Sequence, residues 1–195
     1  MISGILLAAG ESRRMGSPKA LLRYQGQTFI ERSCTAFLTA GVEELVVVLG
    51  ARAAELRQAL PPHPRLRTVE NPRYFQGQLS SLMAGIGALS PESEAAVVNL
   101  VDHPLVTAET ITALIASFRA APLPILIAAH QGRRGHPVLF SGQVYGEVLA
   151  APLDQGAKVV VRKDPSRVRE IQLDDPGILA DIDTPEDYAR YIGRT

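Results

Sequence analysis

Two kinds of hydrophobic pattern alternate along this chain. Short runs of consecutive apolar residues are typical of buried strands, and apolar residues that recur every three or four positions are typical of amphipathic helices. The runs predict strands at residues 5–9, 45–49, 66–69, 95–101 and 125–129. A further apolar stretch at residues 136–140 follows the last of these after a glycine-containing turn, which predicts a hairpin.

Strands that alternate with helices predict a doubly wound, Rossmann-like α/β fold, which is a three-layer sandwich. The sheet is expected to be mostly parallel, and the late hairpin is expected to add an antiparallel edge. The chain has 195 residues, and it contains neither an internal repeat nor a long linker. A single domain over residues 1–195 is therefore predicted.

Capping residues mark the ends of several predicted helices. The patterns typical of helix starts are Thr28 with Glu31, Thr107 alone, and Thr184 with Pro185. Gly41 is a suitable residue to end the first of these helices. Another helix is expected at residues 51–60, and the two prolines that follow directly are expected to end it.

The composition is that of a globular protein without a strong charge. Hydrophobic residues make up 46% of the chain, and 20 Lys and Arg balance 20 Asp and Glu. This balance predicts no general attraction to nucleic acid or to an anionic membrane. Cys34 is the only cysteine, which excludes an internal disulfide, and its place on an apolar helical stripe predicts a core residue. With no basic leader and no apolar run near the roughly 18 residues of a membrane span, a cytoplasmic protein is expected.

Candidate chemistry begins directly after the first predicted strand. Gly10 opens a loop that carries three cations, Arg13, Arg14 and Lys19. A glycine-bearing loop after a strand can present backbone N–H groups to a phosphate, and the cations could neutralise its charge. The alternative is an ordinary connection with solvated arginines.

The loop differs from two common phosphate-binding motifs. Five residues separate Gly10 from Gly16, and Ser17 stands where a Walker A loop needs lysine. The dinucleotide fingerprint Gly-x-Gly-x-x-Gly is also absent from the loop. The segment instead resembles the signature loop of MobA-like nucleotidyltransferases of the molybdenum-cofactor cytidylyl and guanylyl type, through Leu7-Ala8-Ala9-Gly10-x-Ser12-x-Arg14-Met15-Gly16-x-Pro18-Lys19.

This resemblance implies a loop that wraps the triphosphate of a nucleotide, with Arg14 and Lys19 as catalytic phosphate contacts. The spacing of Asn71, Gly77 and Ser81 resembles the family segment that meets the base and ribose. The resemblance therefore implies these nucleotide-binding residues: Leu7, Ala8, Ala9, Gly10, Ser12, Arg14, Gly16, Lys19, Asn71, Gly77 and Ser81. A purely structural alternative for Ser80 or Ser81 is that one of them caps the following helix.

Asp102 ends the most strongly apolar strand, at the edge where open α/β sheets bind ligands. It could cap a turn, but the resemblance implies that it binds Mg²⁺, a cation that takes one or two carboxylates and phosphate oxygens. The segment Asp-Ile-Asp-Thr-Pro resembles the family motif that supplies a second metal contact. Asp183 is preferred for this role over Asp181, and the choice stays open. His103 is given no role.

Two late segments resemble the acceptor side of the family's site. One is Gly-x-x-Gly-His-Pro, which contains His136, and the other is Asp-x-Gly-Ala-Lys, which contains Lys158. The resemblance implies that His136 and Lys158 bind the acceptor. At least one of Arg133 and Arg134 is expected to belong to a solvated turn.

The implied reaction is Mg²⁺-dependent transfer of a nucleotidyl group from a nucleoside triphosphate to a phosphorylated acceptor, with release of pyrophosphate. Ala9 matches the cytidylyl members, whereas guanylyl members usually carry glycine there. CTP and molybdopterin are therefore the expected substrates, and a transient contact with a molybdoenzyme or its chaperone is expected.

Two alternatives remain open at this point. One is a sugar-phosphate or polyol-phosphate nucleotidyltransferase. The other is a non-catalytic nucleotide- or cofactor-binding accessory protein for a molybdoenzyme. The presence of Arg14, Lys19, Asp102 and Asp183 argues against the second alternative, because a binding protein has no need of the metal ligands.

Overall fold

The computed structural model describes residues 1–193, so the last two residues of the predicted domain lie outside the described part. In chain order the strands are β1 (Ile2–Ala8), β2 (Arg23–Tyr24), β3 (Gln27–Thr28), β4 (Glu44–Leu49), β5 (Leu66–Glu70), β6 (Ala95–Leu100), β7 (Ile125–His130), β8 (Arg133–Ser141) and β9 (Val168–Gln172). The helices are α1 (Phe29–Thr39), α2 (Ala53–Gln58), α3 (Gln78–Gly87), α4 (Ala108–Ala120), α5 (Tyr145–Leu149), α6 (Lys158–Arg162) and α7 (Pro185–Tyr191).

A seven-stranded sheet in the order β5-β4-β1-β6-β8-β7-β9 forms the middle layer, and β2 pairs only with β3. Strands β5, β4, β1 and β6 are parallel neighbours, and β9 is parallel to β7. Strand β8 is antiparallel to both β6 and β7. The predicted mostly parallel, doubly wound sheet is confirmed, and the antiparallel strand comes from the predicted late hairpin. This strand lies between β6 and β7, in the half of the sheet that ends at β9.

Helices cover both faces of the sheet because successive side chains of a strand point to opposite faces. On one face, α1, α2 and α4 bury residues such as Phe37, Leu56 and Leu114 against Leu6 and Val47. The opposite face carries α3, α5 and α6, which bury a separate apolar cluster that includes Ile5 and Val46. The central strands are buried on both sides, which explains why they are continuous apolar runs in the sequence.

The helix boundaries follow local chemistry. The capping box of Thr28 and Glu31 is formed at the start of α1, and Thr107 caps α4. Helix α2 is shorter than the predicted 51–60, because the residues before it still form the turn that leaves β4, where Ala51 N–H donates to the Ala9 carbonyl. Cys34 is fully buried, as predicted, and burial raises the pKa of its thiol to about 12. None of the described helices has the length and apolarity needed to cross a membrane.

Candidate active site

The candidate site lies where the parallel strands β1 and β6 end at the same edge of the sheet. Strand β4 pairs with one side of β1, and β6, which comes later in the chain, pairs with the other side of β1, so the direction in which strands are added reverses at β1. This reversal creates a crevice at the carboxyl ends of the strands, the usual position of a ligand in open α/β sheets. The loop of residues 9–19 follows β1, and only Val101 separates Asp102 from the end of β6.

Lys19, at the end of the loop after β1, contacts an aspartate that follows β6 and another that precedes α7. Its Nζ lies 3.1 Å from Oδ2 of Asp102 and also donates a hydrogen bond to Oδ1 of Asp183. Arg14 binds the other carboxylate oxygen of Asp183. The Lys19 backbone N–H donates to Oγ of Ser12 at 3.0 Å, which holds the end of the loop against its middle. The predicted catalytic residues are therefore brought together.

The charges of this group support each other. Burial lowers the pKa of Lys19, but the negative charges of Asp102 and Asp183 outweigh burial, so that the pKa is raised overall. Burial acts in the opposite sense on Asp183, and the hydrogen bond and charge of Lys19, together with Arg14, lower its pKa overall. The pKa shifts therefore favour the protonated, cationic form of Lys19 and the ionised form of Asp183.

A second group of potential ligands lies beside this ion pair. One ligand atom from each of Asp102, His103 and Asp181 lies within 4.8 Å of the others. Oδ1 of Asp102 is buried and has no hydrogen-bond partner among residues 1–193. Asp181 is exposed by surface area, but desolvation by the surrounding protein, followed by the charges of Asp102 and Asp183, raises its pKa to about 6. A divalent cation would relieve this repulsion, and the donor set suits one, so these residues fit a metal.

The backbone explains how both carboxylates of the last segment reach Asp102. Ile182 is fully buried, and its N–H donates to the Asp102 carbonyl at 2.9 Å. Asp181 and Asp183 flank it, and both carboxylates act electrostatically on the group around Asp102. His103 is the member of this group that the sequence interpretation missed. The available signal was its position next to Asp102, which is weak because a buried histidine has many structural roles.

A cavity of about 330 Å³ opens beside Lys19 and has the size of a small-molecule site. The predicted nucleotide-binding residues that line it are Leu7, Ala8, Ala9, Gly10, Ser12, Arg14, Lys19, Gly77 and Ser81. Tyr74 and Arg52 also line it, and the sequence interpretation had not singled them out. A Cβ on Gly50 would lie 2.5 Å from the Ala9 carbonyl oxygen, so a glycine is needed for this close approach.

Two predicted nucleotide contacts are not in the cavity lining. Gly16 is an exposed loop residue with φ of +72°, a conformation that favours glycine. Asn71 is buried, and its Nδ2 donates to Oγ of Ser80 at 2.8 Å and of Ser81 at 3.0 Å. Asn71 therefore orients Ser81 from behind. The alternative that a serine caps α3 is wrong, because Gly77 is the N-cap and both serines lie inside the helix.

A second cavity, of about 460 Å³, adjoins the first and shares Leu7 and Gln78 with it. Its walls come from α3, β6, β8 and residues 153–161, and His136 and Lys158 are both among its lining residues. Burial, and then the nearby His103, lower the pKa of His136 to about 3, so its ring is neutral. The rings of His103 and His136 have centroids 5.0 Å apart, which places the second cavity next to the group around Asp102.

The residues of the predicted solvated turn lie outside both cavities. Arg133 and Arg134 are exposed on the hairpin, and Arg134 Nε donates to Glu170 at 2.8 Å. Pairs of this kind on the surface contribute little free energy, which agrees with a solvated turn.

Comparison with known proteins gives one family match and relatives whose named activities differ. Residues 4–169 match the model of the MobA-like NTP transferase domain. Nicotine blue oxidoreductase of Paenarthrobacter nicotinovorans is 35% identical over 202 residues, which cover 98% of this chain and 96% of that protein. Molybdenum cofactor cytidylyltransferase of Escherichia coli K12 is 30% identical over 190 residues, which cover 96% of this chain and 93% of that protein.

A solved structure extends the comparison to the fold. Rv0371c from Mycobacterium tuberculosis H37Rv superposes with a TM-score of 0.86 at 30% identity, covering 100% of this chain and 99% of that chain. Its complex with manganese superposes with a TM-score of 0.78 at 28% identity, again covering 100% and 99% of the two chains.

Proposed function

This chain belongs to the MobA-like NTP transferase family, and on that premise we propose that it transfers CMP from CTP to the phosphate of molybdopterin. The observation that carries the proposal is the position of Lys19. This cation contacts Asp102 and Asp183 at the edge of a nucleotide-sized cavity, beside a second cavity suited to an acceptor. A transferase needs two substrate sites that lie close together, and the two adjoining cavities support the proposal.

The reaction follows from positioning and charge. A phosphate oxygen of the acceptor attacks the α-phosphorus of CTP, the new P–O bond forms, and the bond to the β-phosphate breaks to release pyrophosphate. Lys19 and Arg14 stabilise the negative charge that accumulates on the phosphates. The nucleophile is already an anion, so no general base is required. The neutral His136 lines the acceptor cavity without accepting a proton.

Residues near Lys19 would hold a divalent cation. Asp102 is the principal ligand in this proposal, because its buried Oδ1 has no other partner in the described part of the chain. A divalent cation bound there would neutralise phosphate charge and help to orient the triphosphate. Mg²⁺ and Asp183 as the second ligand are what the sequence resemblance implied, and they remain predictions from the sequence. Asp183 contacts Lys19 and Arg14, whereas Asp181 lies in the ligand group with Asp102.

The preference for CTP rests on Ala9, which is 4% exposed and lines the nucleotide cavity. A methyl group here narrows the space for a base, which disfavours a purine more than a pyrimidine. The preference for molybdopterin rests on the acceptor segments with His136 and Lys158 and on the similarity to molybdenum cofactor cytidylyltransferase. A relative of similar identity is named nicotine blue oxidoreductase, so relatives of this chain differ in their named substrates. The acceptor therefore has to be tested directly.

The deciding experiment incubates the protein with each NTP, a divalent cation and one acceptor at a time, and measures pyrophosphate. The acceptors are molybdopterin, a set of sugar phosphates and a set of polyol phosphates. We expect pyrophosphate with CTP and molybdopterin, and none with either alone. Release with a sugar or polyol phosphate instead would support the first alternative. Tight nucleotide binding without any pyrophosphate would support an accessory protein and contradict the proposal.

A further inference from the structure

His103 is a buried histidine whose ring lies beside two carboxylates, is hydrogen-bonded to the Ile178 backbone and has one nitrogen without a partner in the described part of the chain. The residue is 6% exposed, and its Nδ1 is buried without a hydrogen-bond partner in the part of the chain that the structure describes. Leaving a buried polar atom without a partner costs free energy, so such an atom calls for an explanation. Its ring lies in the group in which ligand atoms of Asp102, His103 and Asp181 are within 4.8 Å of one another.

The surroundings of this group favour three ligands of mixed type. Asp183 is held by Lys19 and Arg14, so its carboxylate is already neutralised. Asp102 shares only Oδ2 with Lys19, and its buried Oδ1 is free of protein partners among residues 1–193. His103 is fixed in place because it packs against the ring of His136. A buried, oriented imidazole next to two carboxylates is a preformed nitrogen-and-oxygen donor set.

We propose that His103 is a third protein ligand of the divalent cation, together with Asp102 and Asp181, and that it makes the site prefer Mn²⁺ to Mg²⁺. The inference rests on the proposed function, because that function supplies the reason for a cation at Asp102. Mg²⁺ is a hard ion that favours oxygen ligands, whereas imidazole suits the first-row transition metals. A nitrogen ligand therefore shifts the selectivity of an otherwise all-oxygen site.

The test uses Mn²⁺ alone, without nucleotide or acceptor. Electron paramagnetic resonance gives the Mn²⁺ affinity from the free-ion signal, and electron spin-echo modulation detects coupling to the ¹⁴N of a coordinated imidazole. For the wild-type protein we expect ¹⁴N coupling and tighter binding of Mn²⁺ than of Mg²⁺ in competition. His103→Gln should lose the coupling, bind Mn²⁺ at least about tenfold more weakly, and discriminate less between the two ions.

Two further variants keep the result interpretable. Asp181→Asn should weaken Mn²⁺ binding while the ¹⁴N coupling remains, and His63→Gln, a loop histidine remote from the site, should change neither property. A wild-type Mn²⁺ complex without ¹⁴N coupling, or a wild-type protein that binds no Mn²⁺, would overturn the proposal even if His103→Gln failed to fold. The readout requires no turnover. A failed pyrophosphate assay would therefore count against the proposed function, whereas the ¹⁴N coupling and the Mn²⁺ affinity alone decide whether His103 is a ligand.

Discussion

Lys19 and Asp102 lie 83 positions apart in the chain, and Nζ of Lys19 donates a 3.1 Å hydrogen bond to Oδ2 of Asp102. The lysine ends the loop that follows β1, and the aspartate follows β6, the parallel neighbour of β1. Their contact places a cation and an anion in the lining of the first cavity. We propose that Lys19 acts on phosphate and Asp102 on the metal, and the two roles can be tested separately.

The first prediction concerns Lys19. Lys19→Ala should lower kcat by about 10²–10³-fold and should weaken nucleotide binding much less, because negative charge grows on the phosphates in the transition state. Steady-state kinetics with a nucleotide-binding titration separates the two effects. Lys163→Ala is the control, since that lysine pairs with Glu147 on the surface. An effect confined to KM would show that Lys19 holds only the ground state.

The second prediction concerns Asp102. Asp102→Asn keeps the shape of the side chain but removes a negative metal ligand, so turnover should fall at least about 100-fold while the fold is retained. Pyrophosphate release and thermal unfolding are the two measurements. Asp174→Asn serves as the matched control, because Asp174 is fully exposed. Near wild-type turnover in Asp102→Asn would reject this role.

Nucleotide choice is the third prediction. The wild-type enzyme should prefer CTP to GTP by roughly 10–200-fold, the range typical of small changes in pocket shape. Ala9→Gly should relax this preference without reversing it, because Ser81 also lines the cavity and can read the base edge. Competition assays with all four NTPs measure the ratio. Equal use of CTP and GTP by the wild-type protein would disprove the argument from Ala9.

The fourth prediction separates the acceptor from the nucleotide. Lys158 lines the second cavity and not the first. Lys158→Ala should raise KM for the acceptor about tenfold, as expected for the loss of one charged hydrogen bond, and should leave KM for the nucleotide unchanged. Lys163→Ala again provides the control. If KM for the nucleotide rises as much as KM for the acceptor, Lys158 does not belong to a separate acceptor site.

The fifth prediction concerns stability and its pH dependence. The buried Glu44 carboxylate accepts hydrogen bonds from Oγ of Ser3, the guanidinium of Arg67 and the backbone of Ser90. Burial raises the pKa of Glu44, but these donors outweigh it and lower the pKa below its ordinary value of 4.5. The folded state therefore favours the ionised form, and this stabilisation is present above pH 4.5 and lost as the pH falls through the lowered pKa.

Glu44→Gln should accordingly destabilise the protein by about 1–3 kcal/mol at pH 7. The difference from wild type should shrink at pH 3, where the glutamate is increasingly protonated. Urea unfolding at the two pH values measures both quantities, and Glu92→Gln on the surface is the control. A difference that stays constant with pH would mean that the charge of Glu44 is not involved.

The sequence by itself determined the local features of this protein. Apolar runs predicted the central strands because these strands are buried on both faces, and Thr28 with Glu31 predicted the start of α1 because capping involves residues only three positions apart. The loop pattern from Leu7 to Lys19 identified the family for the same reason, since its residues are contiguous. Its site residues Ser12, Arg14 and Lys19 do line the cavity.

Only the tertiary structure decided which distant residues meet. The order of the strands brings Asp102 to Lys19, and the hydrogen bond from Ile182 to the Asp102 carbonyl brings Asp181 and Asp183 to the same place. From the sequence, Asp183 was preferred over Asp181 without a geometric reason, and the only signal for His103 was a weak one, its position next to Asp102. Which of these residues binds metal depends on packing between segments that are far apart in the chain. Hydrophobic periodicity and helix capping act within a few residues, so they contain no information about this packing.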